Sequence, residues 1–365
     1  MRRLALCFLA LFAALTLVPP FAGTGFAQDK FRLAVIGLTH DHAWGILREV
    51  AKHSDIETVG IAEKIPELRE RATKTMGREV RFFDDYQKML EEAKPQAVMC
   101  FGDNLQHLEV VRACAARKIH VMMEKPLAPT FQQARATYDA ARNAGIKLMV
   151  NYWIAWSPET YTAYDRVKAG DVGKVWRIEA RFGHGGPIEI GVSKYFGEWL
   201  NDEKRNGGGA LIDFGCYGAD LLRWYLGKPE SIRAVTHTLK PRTYKVDDDA
   251  VIVANYPDAV GIIQASWNWP RSINDVQVFG DQASIVCDRN LVELYKGRER
   301  QKIDLAPLPP ERQNPVAFFL DAVRNNRPIE GLLSPEYNLD VAEMLEAAKI
   351  SARTGQTVKL PLAAK

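Results

Sequence analysis

The 365-residue sequence has few cysteines, little net charge and, beyond its first residues, no long apolar run. A formal net charge of +3 leaves no basic footprint for nucleic acid or an anionic membrane surface. Four cysteines follow the N-terminal segment, and their spacing suggests no disulfide framework: Cys100, Cys114, Cys216 and Cys287. We therefore expect buried thiols, no nucleic-acid partner and no membrane partner.

The single long apolar run, Leu4–Val18, has the features of a secretory signal peptide. It follows Arg2 and Arg3 and precedes Gly25-Phe26-Ala27, a small-x-small cleavage motif. The run is shorter than the ~20 residues that a membrane-spanning helix needs, which disfavours the alternative of a membrane anchor. We predict cleavage after about Ala27 and a periplasmic or secreted location, with Sec and twin-arginine export both open.

From Phe31 to Val150, short apolar strands alternate with helical patterns. The strand Ile56–Ala62 and the helix Pro66–Met76, with proline in its first turn, show this most clearly. Continuous apolar strands separated by helices predict a parallel sheet covered on both faces. We predict an α/β protein whose residues 28–150 form a Rossmann-type NAD-binding domain.

After about Asn151 the pattern changes to β-rich runs with fewer helices. The runs Ala250–Tyr256 and Gly261–Trp267 are joined by the short link Pro257-Asp258, which predicts a hairpin. One long helix is predicted over Ala210–Leu226. Residues 151–365 are predicted to form an α+β domain for substrate binding and oligomerisation, with an open, mostly antiparallel sheet. Its C-terminal helix could pack back on the first domain.

The first strand–helix turn, residues 37–42, carries an incomplete dinucleotide-binding motif. Of the three glycines in Gly-x-Gly-x-x-Gly, which let the backbone approach a pyrophosphate, only Gly37 is present. Thr39 and His40 are the next candidates for cofactor contact in this turn. Glu63 closes the second strand, where a carboxylate binds the ribose hydroxyls of NAD and disfavours NADP. A solvated charge at a helix start is the alternative for Glu63.

His40 and His42 have the spacing of a metal-binding pair. No third ligand follows at a telling spacing, and loop histidines are common without a metal. We therefore predict no metal site.

Glu124-Lys125-Pro126 directly follows an apolar strand and so lies at the carboxyl edge of the predicted sheet, where ligands of such sheets bind. The proline fixes the turn and aims the lysine at one point. Near a bound nicotinamide cation the pKa of Lys125 should fall, which makes it a usable proton donor or acceptor. A surface lysine in a turn is the alternative.

A second cluster begins at Gly207-Gly208-Gly209, where the glycines allow another backbone to approach closely. On a continuous helix Asp213 and Tyr217, four residues apart, share one face. A carboxylate and a phenol on one face could orient a substrate hydroxyl and relay its proton. A pair that only caps or packs the helix is the alternative.

Together these motifs resemble those of the Gfo/Idh/MocA oxidoreductases, across nearly the whole mature chain. The resemblance is carried by Asn104-Leu105-Gln106-His107, Glu124-Lys125-Pro126-Leu127 and the Gly-Gly-Gly…Asp-x-Gly-x-Tyr helix. It implies an NAD(P)-dependent enzyme that acts on sugars, cyclitols or related polyols. In such an enzyme Lys125 and Tyr217 would transfer the proton, Asp213 would orient the substrate, and Asn104, His107 and Glu124 would lie at the cofactor.

Tyr217 stands where many members of that family have histidine, and this variant looks like glucose–fructose oxidoreductase, which is exported with its cofactor tightly held. The resemblance therefore implies tightly bound NAD here, with NADP the less favoured cofactor. A phenol has a pKa of ~10, so a nearby Lys125 ammonium would be needed to lower the pKa of Tyr217 towards neutral pH.

The sequence departs from the family pattern in the segment 151–158, which lacks a substrate-binding arginine and carries aromatic residues instead. Aromatic rings suit stacking on a pyranose, although they also suit an interdomain core. The substrate candidates outside the Asp213–Tyr217 pair are Asn151, Trp153, Arg181 and His184. The family resemblance also implies a homo-oligomer.

The leading hypothesis is an exported NAD(P)-dependent oxidoreductase that transfers hydride between nicotinamide and a sugar or polyol. A redox-neutral, NAD-using glycoside hydrolase is one alternative. A non-catalytic nucleotide or sugar sensor is another, which the incomplete glycine turn would allow.

Overall fold

The computed structural model describes residues 30–363, which build two β-sheets and the helices that cover them. The predicted signal peptide lies outside these residues. Within the described part of the chain, no helix is long and apolar enough to cross a membrane.

The first sheet has six parallel strands in the order β3-β2-β1-β4-β5-β6. Its strands are β1 Phe31–Ile36, β2 Ile56–Ala62, β3 Phe82–Phe83, β4 Ala97–Cys100, β5 His120–Glu124 and β6 Leu148–Asn151. The helices between them are α1 Ala43–Lys52, α2 Pro66–Met76, α3 Tyr86–Ala93, α4 His107–Ala115 and α5 Phe131–Ala144. The strand order reverses between β1 and β4, which opens a crevice at the carboxyl edge. The predicted Rossmann-type sheet is confirmed.

The central strands of this sheet are apolar because helices cover both faces. Every residue of β4 and β6 is buried, and so are most residues of β1 and β5. Strands buried on both faces have no polar alternation, as the sequence indicated.

The second sheet has nine strands in the order β14-β13-β12-β11-β7-β10-β9-β8-β15. Its strands are β7 Val175–Gly183, β8 Ser231–His237, β9 Asp249–Asn255, β10 Val260–Ser266, β11 Ile273–Gly280, β12 Ser284–Asp288, β13 Leu291–Lys296, β14 Glu299–Ile303 and β15 Val358–Lys359. β7 and β10 pair in parallel, and the remaining neighbours pair antiparallel. The predicted, mostly antiparallel sheet and the β9–β10 hairpin are confirmed.

The helices of the second half are α6 Pro158–Lys168, α7 Lys194–Leu200, α8 Glu203–Asn206, α9 Ala210–Asp213, α10 Gly215–Leu226, α11 Pro315–Arg324 and α12 Pro335–Thr354. The C-terminal helix α12 reaches the first domain, because Lys349 Nζ donates hydrogen bonds to the Pro129 and Gly207 carbonyls at 3.0 and 3.3 Å. The contact with Pro129 shows that the C-terminal helix packs back on the first domain.

The prediction of one helix over residues 210–226 is wrong, because the helix breaks at Phe214. In a continuous helix the Asp213 carbonyl would accept from the Tyr217 N–H. Here Lys125 Nζ donates to that carbonyl at 3.0 Å, and the Tyr217 N–H bonds to Phe214 instead. A tertiary contact from the first domain thus ends α9 and starts a new helix.

The predicted close approach of backbone to the glycine run is confirmed at two of its three positions. A Cβ on Gly207 would lie 2.4 Å from the Pro129 carbonyl oxygen, and one on Gly209 would lie 1.7 Å from the Asp247 carbonyl oxygen. Gly207 therefore lets this segment lie tightly against Pro129, in the loop that follows Lys125-Pro126, and Gly209 lets it lie against the backbone of Asp247. Among the described residues the four cysteines are free, with Cys100, Cys114 and Cys216 buried, as predicted.

Candidate active site

Lys125 and Asp213 form a buried ion pair at the carboxyl edge of the first sheet. Lys125 directly follows β5, and its Nζ lies 2.5 Å from Asp213 Oδ1 and 3.0 Å from the Asp213 carbonyl oxygen. The two residues are only 5% and 7% exposed. The sequence predicted both residues as catalytic, and the structure brings them together.

Trp267 completes the environment of Asp213. This fully buried side chain directly follows β10, and its Nε1 donates to Asp213 Oδ2 at 3.0 Å. Each carboxylate oxygen therefore has one partner, which fixes the plane of the carboxylate. The sequence analysis missed Trp267, because a tryptophan at the end of an apolar strand gives no sign of a partner 54 residues earlier.

Tyr217 lies against Lys125 within a wall of aromatic rings. Lys125 Nζ is 5.1 Å from the centre of the Tyr217 ring. The ring stacks on Phe182 at 5.3 Å and meets the edge of Tyr152 at 5.3 Å, with Trp153 at 5.9 Å. Asp213 and Tyr217 thus come together around Lys125 and not, as predicted, on one face of a continuous helix.

The charges of this cluster depend on burial and on the ion pair. Burial alone would lower the pKa of Lys125, but the Asp213 carboxylate outweighs it and raises that pKa above its ordinary value. Burial likewise opposes ionisation of Asp213, yet Lys125 holds the pKa of the carboxyl below its ordinary value. Both groups are therefore charged at neutral pH.

The phenol of Tyr217 behaves differently from the sequence-based expectation. Burial raises its pKa well above 10, with Cys216, Asp213 and Glu124 acting in the same direction. The expectation that Lys125 lowers the pKa of Tyr217 towards neutral pH is therefore wrong for the described structure. Tyr217 is a protonated hydroxyl at neutral pH, suited to donate a hydrogen bond.

Arg181 and His184 are the two substrate candidates at the end of β7. Only His184 lies beside the cluster that Lys125, Asp213 and Tyr217 form. Its ring meets the edge of Phe214 at 4.9 Å, its Nδ1 accepts from the Gly186 N–H, and burial lowers its pKa. Arg181 precedes Phe182, so its side chain points to the opposite face of the sheet. There it forms a bidentate ion pair with Asp275 at 2.8 and 2.9 Å. Arg181 therefore lies outside the candidate site.

Glu124 and Asn151 end neighbouring strands and are linked to each other. Asn151 Nδ2 donates to Glu124 Oε1 at 2.7 Å, and Asn151 Oδ1 accepts from Trp156 Nε1 at 2.9 Å. The second Glu124 oxygen lies 2.9 Å from His42 Nδ1. Asn151 therefore orients Glu124, while Tyr152 and Trp153 are the members of the same segment that lie at the aromatic wall.

The nucleotide end is a cleft of about 490 Å³ at the carboxyl ends of β1, β2 and β4. Gly37, Thr39 and Glu63 line it, as does Gln106, which the sequence analysis did not select. A volume of this order suits part of a dinucleotide. The alternative of a solvated charge for Glu63 is wrong, since the residue is 7% exposed and its oxygens accept from the Leu38 and Ile65 N–H groups.

The residues of this cleft fit a dinucleotide at two points. Among residues 30–363, Thr39 Oγ1 is a buried oxygen with no hydrogen-bond partner. The Glu63 carboxylate oxygens each hold one backbone hydrogen bond, which leaves lone pairs for ribose hydroxyls. The first glycine is also explained, because a Cβ on Gly37 would lie 2.9 Å from the Gly102 nitrogen.

Three other predicted cofactor residues are packed into the protein and lie outside the residues that line this cleft. His40 is 1% exposed and lies against Phe196 at 4.3 Å. Asn104 Nδ2 donates to Asn206 Oδ1 at 2.8 Å, which joins the two domains. His107 Nδ1 lies 3.2 Å from the Leu127 carbonyl oxygen and so supports the Lys125 loop from behind.

Two family descriptions match the sequence. Residues 23–152 match "Oxidoreductase family, NAD-binding Rossmann fold", and residues 160–286 match "GFO/IDH/MocA C-terminal domain". The two matches cover more than two-thirds of the 365 residues. The chain belongs to the Gfo/Idh/MocA oxidoreductase family. The predicted family and the predicted class, an NAD(P)-dependent oxidoreductase, are thereby confirmed.

Curated relatives of this Gfo/Idh/MocA chain are identical to it at about a quarter of the aligned positions. The rhizopine catabolism protein MocA of Rhizobium meliloti is 26% identical over 61% of this chain and 67% of the relative. D-glucoside 3-dehydrogenase of Escherichia coli is 28% identical over 71% of this chain and 78% of the relative. Levoglucosan dehydrogenase of Pseudarthrobacter phenanthrenivorans is 24% identical over 67% of each chain.

Solved structures share the fold of this oxidoreductase over nearly its full length. Levoglucosan dehydrogenase in complex with NADH and levoglucosan aligns with a TM-score of 0.77 at 22% identity, over 92% of this chain and 100% of the other. The aldose-aldose oxidoreductase of Caulobacter crescentus aligns with a TM-score of 0.77 at 23% identity, over 91% and 100%. These likenesses confirm the two-domain fold class.

Proposed function

We propose that the protein is an exported NAD-dependent oxidoreductase that transfers hydride between nicotinamide and a sugar or polyol. The observation that carries the proposal is the buried Lys125–Asp213 pair against the Tyr217 ring, at the carboxyl edge of a Rossmann-type sheet. Export rests on the signal-like sequence of residues 1–27.

Lys125 is the proposed general acid/base. Its charged Nζ is held by Asp213 at the end of β5, where a substrate oxygen would exchange its proton as hydride moves. Bound NAD supplies the hydride acceptor or donor. In carbonyl reduction Lys125 would donate its proton to the substrate oxygen. In alcohol oxidation Lys125 would first release a proton to solvent and then accept the hydroxyl proton, and a nearby oxidised nicotinamide would favour that release through its positive charge.

Tyr217 and Asp213 complete the proposed proton-transfer site. Because Tyr217 keeps its proton, it serves as a hydrogen-bond donor to the substrate oxygen, while Lys125 transfers the proton. Asp213 accepts from Lys125 and Trp267, and the lone pairs that remain on its oxygens can orient a substrate hydroxyl. Trp153, the partly exposed ring of the aromatic wall, suits stacking on the apolar face of a sugar ring.

The substrate class is supported by the curated relatives, which are named for a glucoside and for levoglucosan. Glu63 supports NAD over NADP, because a buried carboxylate in the adenosine half of the cleft would repel a 2′-phosphate. We further propose tight cofactor retention, since an exported enzyme has no free nicotinamide pool. Val235 and Val251, exposed on the open face of the second sheet, support a homo-oligomer through that face.

The test is identification of the small molecules carried by the protein purified from its native compartment. We expect NAD on denaturation, and reduction of that NAD, read near 340 nm, when a panel of glucosides and anhydrosugars is added. Protein that carries no nicotinamide and binds none would contradict the proposal. A glycoside cleaved with no net change in NAD would indicate a redox-neutral hydrolase instead.

A further inference from the structure

His40, His42 and Glu124 form a cluster that the proposed redox function does not use. Each offers one ligand atom, and the three atoms lie within 4.8 Å of one another. Two histidines with one carboxylate form a common donor set for catalytic Zn²⁺ and for other divalent transition metals. No local pattern in the sequence points to the third ligand, because Glu124 comes 82 residues after His42.

The sheet brings these three residues to one edge. His40 and His42 lie in the turn after β1, and Glu124 is the last residue of β5, so all three belong to the carboxyl edge of parallel strands. His42 Nδ1 and Glu124 Oε2 are already 2.9 Å apart. The two donors therefore face the same point in space.

The cluster has the supporting contacts that metal ligands use. Asn151 Nδ2 donates to Glu124 Oε1, which leaves Oε2 directed at His42, and Trp156 in turn holds Asn151. His40 is fixed by the rings of Phe196 at 4.3 Å and Trp199 at 5.5 Å. Such outer contacts orient metal-binding side chains and are part of the affinity of a site.

Charge and accessibility also favour a cation at this point. Glu124 is 1% exposed, and its two carboxylate oxygens contact the neutral amide of Asn151 and the His42 ring. The nearby Lys125 ammonium is already paired with Asp213. The His42 side chain is 43% exposed, so the cluster has a path to solvent and one ligand that can rotate.

We propose that His40, His42 and Glu124 bind one divalent transition-metal ion, with Zn²⁺ the ion that this donor set suits best. Ligand atoms around zinc lie ~3.4 Å apart in a tetrahedral site with bonds of ~2.1 Å. In the described structure the three ligand atoms lie within 4.8 Å of one another, and His42 Nδ1 and Glu124 Oε2 lie 2.9 Å apart, so the side chains, His42 first, would adjust as the ion binds. Three protein ligands leave a fourth position for water or a substrate oxygen. Because Lys125 follows Glu124 directly, an ion here would bind a hydroxyl or carbonyl beside the proposed acid/base.

The test is zinc titration of the tag-free protein, stripped with a chelator and followed by calorimetry and metal analysis. We expect one Zn²⁺ per chain. In His42→Ala and in Glu124→Gln the affinity should fall by about 100-fold or more, and in Asn151→Ala by about 10–100-fold. Co²⁺ in place of Zn²⁺ should give the visible absorption of a tetrahedral site in the wild type and lose it in His42→Ala.

His53→Ala is the matched control, because it removes a partly exposed histidine outside the cluster and should leave zinc binding unchanged. Circular dichroism on each variant separates loss of a ligand from loss of fold. Zinc binding that survives His42→Ala and Glu124→Gln in folded protein, or a stoichiometry far below one, would overturn the proposal. NAD binding measured on the same samples reports on the redox function separately, so the two proposals can fail independently.

Discussion

Trp267 Nε1 donates a hydrogen bond to the one Asp213 oxygen that Lys125 does not bind, at 3.0 Å. Trp267 belongs to the second sheet, Lys125 to the edge of the first, and Asp213 ends a short helix between them. The carboxylate is therefore fixed from both domains. Its orientation sets where the Lys125 ammonium points, so Trp267 is a positioning residue for the proposed proton transfer.

Trp267→Phe should lower kcat about 10-fold to 100-fold while NAD binding is retained. It removes a hydrogen bond to a charged group, which is worth ~1.5–3 kcal/mol. That bond also helps to lower the pKa of Asp213, so the acidic limb of the pH profile of kcat/KM should move to higher pH. Steady-state kinetics across pH would measure both effects. Trp176→Phe, at an exposed strand position, is the control, and an unshifted acidic limb in Trp267→Phe would count against the positioning role.

Asp220→Asn should stabilise the protein at neutral pH. Within residues 30–363 both Asp220 carboxylate oxygens lack partners, and burial raises the pKa of this carboxyl well above its ordinary value, with Arg223 only partly opposing. The folded state thus keeps a proton that the unfolded state releases above about pH 4. Wild-type stability therefore falls as pH rises from the unfolded pKa towards the folded one, and Asn removes that loss.

Thermal melts at pH 4 and pH 7 would check this behaviour. The variant should exceed the wild type at pH 7 by roughly 1–2 °C for each ~1 kcal/mol gained, because the shift in Tm becomes smaller as a chain gets longer, and by less at pH 4. Asp304→Asn, at an exposed position, should show no such pH-dependent gain. An Asp220→Asn variant that is equally destabilised at both pH values would show that the carboxyl has a partner in solution.

Glu63→Ser should change the choice of cofactor. The buried carboxylate lies in the cleft between Gly37 and Gln106, where it would accept ribose hydroxyls and repel a 2′-phosphate. Its loss should raise the NADP/NAD affinity ratio by about tenfold, ~1.4 kcal/mol. Titration of both cofactors against the variant and against Glu57→Ser, a more exposed position on the same strand, measures the ratio. An unchanged NADP/NAD affinity ratio would show that Glu63 does not bind the adenosine ribose.

Much of the fold follows from local pattern. The strand Ile56–Ala62 and the helix Pro66–Met76 have the predicted bounds, because apolar periodicity and proline at the first turn act locally. β14 was not predicted, since Glu299–Ile303 is a charged, mostly exposed run with no apolar alternation. The break at Phe214 was also not predicted, because its cause is the contact of Lys125 with the Asp213 carbonyl, 88 residues away in sequence.

The candidate site, like the fold, could be predicted only in part. Lys125, Asp213 and Tyr217 came from motif and family resemblance, and the structure places them together. The partners that tune them, Trp267 and the aromatic wall, come from other elements and leave no local signal. Arg181 was misplaced because strand alternation relative to Phe182 decides its face, and only the stacking of Phe182 on Tyr217 shows which face is inward.

The most direct test of the account is the reduction of bound NAD by a sugar in Lys125→Met. Removal of a general acid/base should lower the rate of the 340 nm change by about 10²–10⁴-fold, with NAD still bound. Because this variant leaves Asp213 buried without its cation, Lys125→Met combined with Asp213→Asn controls for folding. A folded, NAD-loaded variant with its rate of hydride transfer strongly reduced is the predicted result. A wild-type rate in that variant would contradict the assignment of Lys125 as the proton-transfer residue.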